Sequence, residues 1–373
     1  MKNKNFLNIH VLISHSPSCL NRDDMNMQKS ATFGGVRRVR VSSQSLKRAM
    51  RKSDYYLENL GVPSVRSNKL DLIAKKYVNA LESRFSSELV TQAVVWLSGK
   101  EGISEDEKVD SVAPWATEEV AYFCQLISAA GDDADKKKLE KEIEKNAKPF
   151  RVALSNSVDI ALSGRMATFG LMSKMNMDAA MAIAHAMTTH AVDADIDWFT
   201  AVDDLVVDEG DVGAGHLDTQ EFSSGVFYRY ASLNLKQLQM NLGLISGMDA
   251  DETEESRSRA LDIAKHAAHL LATVTPDAKQ NSFAAHNLAD LVFASFADIP
   301  ISLANAFEEP IRKDRNGGFL APSISALENY WQKVHTGYGL DERVANFCLS
   351  ECEMGESKPT LPELENWIKN DGK

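Results

Sequence analysis

The sequence predicts an α+β fold, and three observations support it. Runs rich in β-branched and aromatic residues recur at 7–14 (LNIHVLIS), 223–235 (SSGVFYRYASLNL) and 288–302 (LADLVFASFADIPIS). Between the first two lies a long block, 61–150, with apolar residues at helical spacing and almost no strand signal. The order strand, helix, helical insertion, strand, helix, strands suits a sheet domain that carries insertions. At 373 residues the chain also exceeds the roughly 100–200 of a typical single domain.

Residues 7–14 read as a central strand. The N-terminal MKNKNFLNIHVLISHSPS superficially resembles a signal peptide, but His10 and His15 interrupt a short apolar core and no small-residue cleavage site follows. The polar stretch 16–35 reads as a functional loop with Gly34-Gly35 at a turn. RRVRV (37–41) alternates, so Arg38 and Arg40 are expected on one face, with Arg37, Val39 and Val41 on the other. Ser42 or Ser43 then supplies an N-cap for a helix running to about Leu60. Gln44, Lys47, Arg48 and Arg51 share one face of that helix. Leu46, Met50, Leu57 and Leu60 form the opposite, core-facing stripe.

In the helical block, SRFSSELVTQAVVWLSG and ATEEVAYFCQLISAA are amphipathic, and DDADKKKLEKEIEKNAKP reads as a charged, solvent-facing helix. SVDIALSGRM reads as a strand entering a glycine-containing loop, and 178–190 (DAAMAIAHAMTTH) as a helix. The acidic DADIDWFTAVDDLVVDEGDVGAGHLDTQEF suits two extended pieces joined by a glycine-rich turn. Helices are expected near 234–243 and 256–273, and a last one around PELENWIKN. No internal repeat or low-complexity tract is present.

The composition is that of a globular protein, and no apolar run is long enough to span a membrane. Cys19, Cys124, Cys348 and Cys352 show neither metal nor redox spacing, which suits a reducing cytoplasm. Net charge is −12, yet residues 22–52 hold nine Lys/Arg against two Asp. A concentrated basic segment on an acidic body suits a localised polyanion, not general polyanion binding. Cations in the first turns of a helix oppose its dipole by a few tenths of a kcal/mol each, and a bound anion reverses that sign. Backbone N–H groups with Ser42, Ser43 and the flanking arginines make a phosphate site. Arg38 and Arg40 extend it into a stripe, and the preceding loop adds Arg22 and Lys29. Repeated cations in line suit a nucleic-acid backbone, RNA or DNA.

Other candidates carry less. Asp193, Asp195, Asp197, Asp203 and Asp204 offer carboxylates for a divalent metal, but their spacing meets no known metal pattern and more often marks a solvated face. Asp23 and Asp24 beside Arg22 form a weak catalytic pair. The pairs His185/His190 and His266/His269 lack further ligands and read as packing residues. No nucleotide-binding or nucleophile motif appears, so no cofactor is expected. Arg165-Met166 in GRMATFG could set a cation and an apolar wedge beside a nucleic-acid strand, although an ordinary turn is the simpler reading. Arg312, Lys313 and Arg315 mark a second, smaller basic loop.

HVLISHSPSCLNRDDMNMQKSATFGGVRRVRVSSQSLKRAMRKS, VDIALSGRMAT, DIDWFTAVDDL, TQEFSSGVFYRY and WIKNDGK together resemble the CasC family, the backbone subunits of type I-E CRISPR Cascade complexes. The likeness runs from Phe6 to Lys373 and is weakest at about 62–150, 244–258 and 307–318. It implies an RRM-like (ferredoxin-like) palm over 1–60, 182–192 and 225–373, helical fingers over 61–181 and a β-hairpin thumb over 193–224. It further implies a non-enzymatic, cytoplasmic subunit that polymerises with copies of itself along CRISPR RNA, beside other Cascade subunits. Each thumb reaches over the RNA of the next copy and kinks it, while the guide pairs with target DNA. By position, Ser42, Gln44, Lys47 and Arg51 would hold RNA phosphates, with Arg22 and Lys29 near the strand. Met166 would sit at the kink, Trp198, Phe199 and Thr200 would form the thumb wedge, and Arg312, Lys313 and Arg315 would lie near the DNA. The alternative is a metal-dependent CRISPR-associated ribonuclease using Asp23 or Asp24.

Overall fold

A computed structural model describes residues 3–131, 134–145, 148–154, 156–202 and 214–373, with backbone alone at 148, 199–202 and 214–218. The chain opens with β1 (Phe6–Ser18), the hairpin β2 (Ser30–Phe33) and β3 (Val36–Val41), then α1 (Ser43–Lys52) and α2 (Asp54–Leu60). The next stretch holds β4 (Val65–Lys69), α3 (Leu70–Leu81), α4 (Ser87–Ser98), β5 (Lys108–Trp115), α5 (Thr117–Ala130), α6 (Lys136–Lys145), α7 (Lys148–Ala153) and α8 (Val158–Ser163). Strands β6 (Met181–Ile183), β7 (Ala186–Thr188), β8 (Asp195–Val202) and β9 (Ala214–Asn234) follow. The remainder is α9 (Leu235–Asn241), α10 (Glu254–Thr273), α11 (Gln280–Phe283), β10 (Leu291–Ala297), α12 (Leu320–Tyr338), β11 (Arg343–Cys348), β12 (Glu356–Ser357) and α13 (Leu361–Lys369).

The chain folds into two compact units, an α+β organisation as the sequence predicts. The first comprises Met1–Ser53, Ile183–Ser232 and Ala267–Lys373; the second comprises Asp54–Ala182 and Leu233–His266. A large sheet in the order β12-β11-β10-β1-β9-β7-β3-β2 organises the first unit. β1 is buried along most of its length and pairs antiparallel with β10 from Phe6↔Ala297 to Leu12↔Leu291, so its apolar run is nearly continuous instead of alternating. His10 lies inside it, its Nδ1 2.8 Å from the Tyr228 hydroxyl, and burial pulls its pKa down to about 3. Phe307, Ile324, Leu327 and Trp331 pack over Tyr228, Tyr230 and Phe293, sealing that aromatic part of the sheet.

The second unit is built on α3, α4 and α5, whose apolar faces meet around Tyr77, Val94, Trp115 and Phe123. The Tyr77 hydroxyl donates to the Trp115 carbonyl at 2.7 Å, which satisfies a deeply buried phenol.

Several local expectations are corrected. Residues 178–190 form β6 and β7 and not a helix: Ala and Met favour helix, but Met187 and Thr188 pair with Tyr228 and Phe227 of β9, and pairing outweighs propensity. The SVDIALSGRM stretch holds the short helix α8 instead of a strand. Inside the helical block, β4 and β5 pair antiparallel, a two-stranded element with little apolar alternation to announce it. The helix from Ser43 breaks at Ser53, whose N–H turns back to the Met50 carbonyl, and Leu57 is 52% exposed where a core position was expected.

Candidate nucleic-acid interface

β3 runs directly into α1, and the cap between them is Ser42. Its backbone is extended, and its Oγ accepts the Ser45 N–H at 3.3 Å. The Ser42 N–H donates to Asn21 Oδ1 at 2.9 Å, tying the preceding loop to the start of the helix. Leu46, Ala49 and Met50 are buried, so α1 presents Gln44 and Arg48 as exposed and Lys47 and Arg51 as half-buried side chains. The predicted polar face is therefore present on α1.

The loop at 21–29 is bound to the sheet by its backbone. Lys29 N–H donates to the Asn21 carbonyl and Arg40 N–H to the Lys29 carbonyl, each at 2.9 Å. Gln28 N–H donates to Glu221 Oε2 at 2.7 Å, and the Arg37 guanidinium meets the other oxygen of that buried carboxylate at 2.5 Å. Arg22 is exposed and donates to Asn26 Oδ1 at 2.5 Å. Arg40 Nη1 lies 3.1 Å from His185 Nδ1. Burial, with Arg40 and Lys29 nearby, lowers the His185 pKa, so all three share one locale. The structure thus gathers Arg22, Lys29, Arg40, Ser42, Gln44, Lys47 and Arg51 around one loop–strand–helix junction. Sequence alternation set Arg37 apart from Arg40, but it is exposed and pairs with Glu221 from far along the chain.

Arg38 is a correction. It was expected beside Arg40 on an open face, but it is 0% exposed. Its guanidinium donates to the carbonyls of Phe33, Thr188, Phe307 and Glu308 at 2.9–3.3 Å, and burial lowers its pKa. Arg38 fastens the β2–β3 hairpin to the segment that leads into the second basic loop. There Ile311 N–H donates to the Thr189 carbonyl, and Arg312, Lys313 and Arg315 stand exposed. The turn residue Gly34 takes φ +60° against the Glu308 carbonyl, where a side chain would collide.

Asp23 is occupied locally, accepting the N–H groups of Met25 and Met27 at 2.9 and 3.0 Å. Asp24 is exposed. Among the described residues no group of three or more His, Cys, Asp or Glu is placed to hold a metal ion. Asp203 and Asp204 lie outside the described residues.

In the second unit, Arg165 is likewise internal, pairing with Glu119 at 2.7 Å with both side chains fully buried and donating to the Met175 carbonyl at 2.9 Å. The neighbouring Met166 is 82% exposed. Gly164 takes φ +72°, and a Cβ there would lie 2.7 Å from the Met177 carbonyl oxygen. The turn is thereby pinned with its cation inward and its thioether outward. A cavity of about 430 Å³ adjoins it, lined among others by Arg151, Met166, Asn176 and Met240.

β8 and the first half of β9 form the expected antiparallel hairpin, from Asp195↔Phe222 to Val202↔Ala214. Trp198 is 67% exposed on it, opposite Thr219. The side chains of Phe199 and Thr200 lie outside the described residues.

A family model described as CT1975-like protein matches residues 7–367. A solved chain titled "CRISPR RNA-guided surveillance complex, pre-nicking" is similar at 28% identity and a TM-score of 0.78, covering 99% of this chain and 100% of that one. Another, titled "CRISPR RNA-guided surveillance complex", shares 23% identity with a TM-score of 0.59 over 99% and 100% of the two chains, and bears on the fold alone. No curated protein matches the sequence.

Proposed function

Because the chain belongs to the CT1975-like protein family, we propose that it is a non-catalytic, CRISPR RNA-binding backbone subunit of a type I-E Cascade complex. The observation that carries this reading is full-length similarity to a chain of an RNA-guided surveillance complex, in a protein whose cations converge on one junction. Ser42, Gln44, Lys47 and Arg51 hold successive phosphates along α1, with Arg22, Lys29 and Arg40 beside them. Repeated along neighbouring copies, this face makes a track that reads backbone, and pairing with target DNA reads sequence. Residues 1–60, 182–192 and 225–373 act as an RRM-like palm and residues 61–181 as fingers. The β8–β9 hairpin acts as the thumb, its Trp198, Phe199 and Thr200 meeting the RNA at its kink with Met166 of a neighbouring copy. Arg312, Lys313 and Arg315 face target DNA. Arg38 and Arg165 serve as internal ties that set the shape of these surfaces.

The test is to sequence the nucleic acid that co-purifies with the tagged chain from its host. Short CRISPR-derived RNA, lost in a Lys47→Glu/Arg51→Glu variant that remains folded, is the expected result. RNA retained by that variant overturns the track, and an absence of RNA overturns the reading. The ribonuclease alternative gains nothing from Asp23, whose carboxylate is engaged by the backbone of its own loop.

A further inference from the structure

The geometry points to a third wall for the RNA track: the segment 277–284, with Lys279 as an additional phosphate-binding residue and Asn281 and Ser282 at its rim. This inference rests on the proposed RNA-binding function and extends it to a part of the chain some two hundred residues from the basic segment.

Four observations converge on this segment. First, it is conformationally unusual. Lys279 (φ +54°) and Ala284 (φ +48°) flank the short helix α11, and both are non-glycine residues in the left-handed region. Such backbone persists where the surroundings over-determine it, and it is concentrated at functional sites. Second, the segment is firmly held. The Ser282 and Phe283 N–H groups both donate to the Lys279 carbonyl at 3.0 Å. The Gln280 amide reaches back to the Pro276 carbonyl at 3.0 Å, and Asn287 just beyond accepts from Ser16 and meets His15.

Third, it abuts the root of the hairpin. The Phe283 ring lies 5.5 Å from that of Phe222, the residue after the Glu221 carboxylate that fixes the 21–29 loop and Arg37. Fourth, its charge joins the existing cluster. The buried Cys19 thiol, raised in pKa by burial, feels Lys279 and Arg22 as its two nearby cations. Glu221 and Asp23 are the acids that act on the same thiol. Asn281 and Ser282 are exposed and polar, suited to sugar and phosphate oxygens. A single-stranded RNA that follows Arg22 and Lys29 past the root of the hairpin therefore meets Lys279 next.

The test uses the full chain assembled on a labelled oligouridine, with affinity followed against salt for wild type, Lys279→Ala, Lys279→Arg and Lys47→Glu/Arg51→Glu. Removing one phosphate contact from a single strand should flatten the slope of log K against log salt by about 0.7 in Lys279→Ala, and Lys279→Arg should restore it. An unchanged slope in Lys279→Ala, with binding lost in the α1 double variant, overturns this wall and leaves the function standing. Binding unchanged in all variants overturns both. Should Lys279→Ala unfold, Asn281→Asp/Ser282→Asp supplies the same test by placing two negative charges at the rim. Unchanged affinity of that folded variant then counts against the wall.

Discussion

The carbonyl oxygen of Glu308 occupies the place where a side chain on Gly34 would begin, 1.6 Å from the position of a Cβ. The β2–β3 turn can close against residues 307–308 only because position 34 is glycine in a left-handed conformation. Gly34→Ala must both strain its own backbone and push the carbonyl away. The left-handed cost alone is about 1–2 kcal/mol, so the variant should lose at least about 2 kcal/mol in urea unfolding. Amide exchange at residues 307–311 should accelerate in parallel. A variant as stable as wild type would mean that the hairpin is not seated as described.

Arg165 and Glu119 give a prediction with opposite outcomes for adjacent residues. Truncating Arg165 to Ala strands a fully buried carboxylate and should cost about 3–5 kcal/mol. Met166→Ala, one position on, removes an exposed side chain and should change stability by less than about 0.5 kcal/mol. Replacing the pair together, Arg165→Met/Glu119→Leu, should recover most of the loss, since neither charge is then left alone. Chemical denaturation of the three variants checks this, and equal effects at 165 and 166 would refute the inward–outward arrangement of the turn.

His10 makes folding acid-sensitive. Its pKa falls from 6.5 to about 3 because burial disfavours the imidazolium, so the unfolded chain binds a proton that the folded chain refuses. Its stabilising contribution is complete above pH 6.5 and is lost as pH falls towards 3, at about 1.4 kcal/mol per pH unit. His15, also drawn down to about 3 by burial and by Arg229, adds a second contribution of the same sign. The stability gap between wild type and His10→Gln should therefore narrow by about 2 kcal/mol from pH 7 to pH 5. A gap independent of pH would show that His10 does not titrate on unfolding.

Trp198 separates binding from folding. At 67% exposure on a two-stranded arm, its replacement by Ala should leave the thermal midpoint unchanged within about 0.5 kcal/mol of stability. Nuclease footprints on assembled RNA should nevertheless lose their regular pattern. A footprint identical to wild type would remove Trp198 from the RNA contact.

The parts of the fold that announced themselves are those whose cause is local. β1 is a dense apolar run, Ser42 stands where a cap must, and α1 and α13 keep their periodicity. Misread parts depend on residues far away. Arg38 alternates correctly in RRVRV, but its destination is set by carbonyls at 188 and 307–308, which no spacing rule reveals. Met187 and Thr188 have helix-forming neighbours and become strand only because β9 offers backbone partners. Lys279 carries no motif at all; a left-handed backbone and an aromatic contact across sixty residues single it out. The exposed face of α1 was legible because amphipathicity is written within a single helix. Which arginines are buried ties and which stand exposed was not.

With α12 and the 303–307 turn laid over His10, Tyr228, Tyr230 and Phe293, none of these rings can stack on a nucleobase. The attachment proposed at the α1 junction then depends on charge and hydroxyls, which meet features common to every nucleotide. Such a scaffold imposes no vocabulary on what it carries: a new guide can be loaded without altering a single protein residue, so the repertoire can change faster than the machinery that bears it.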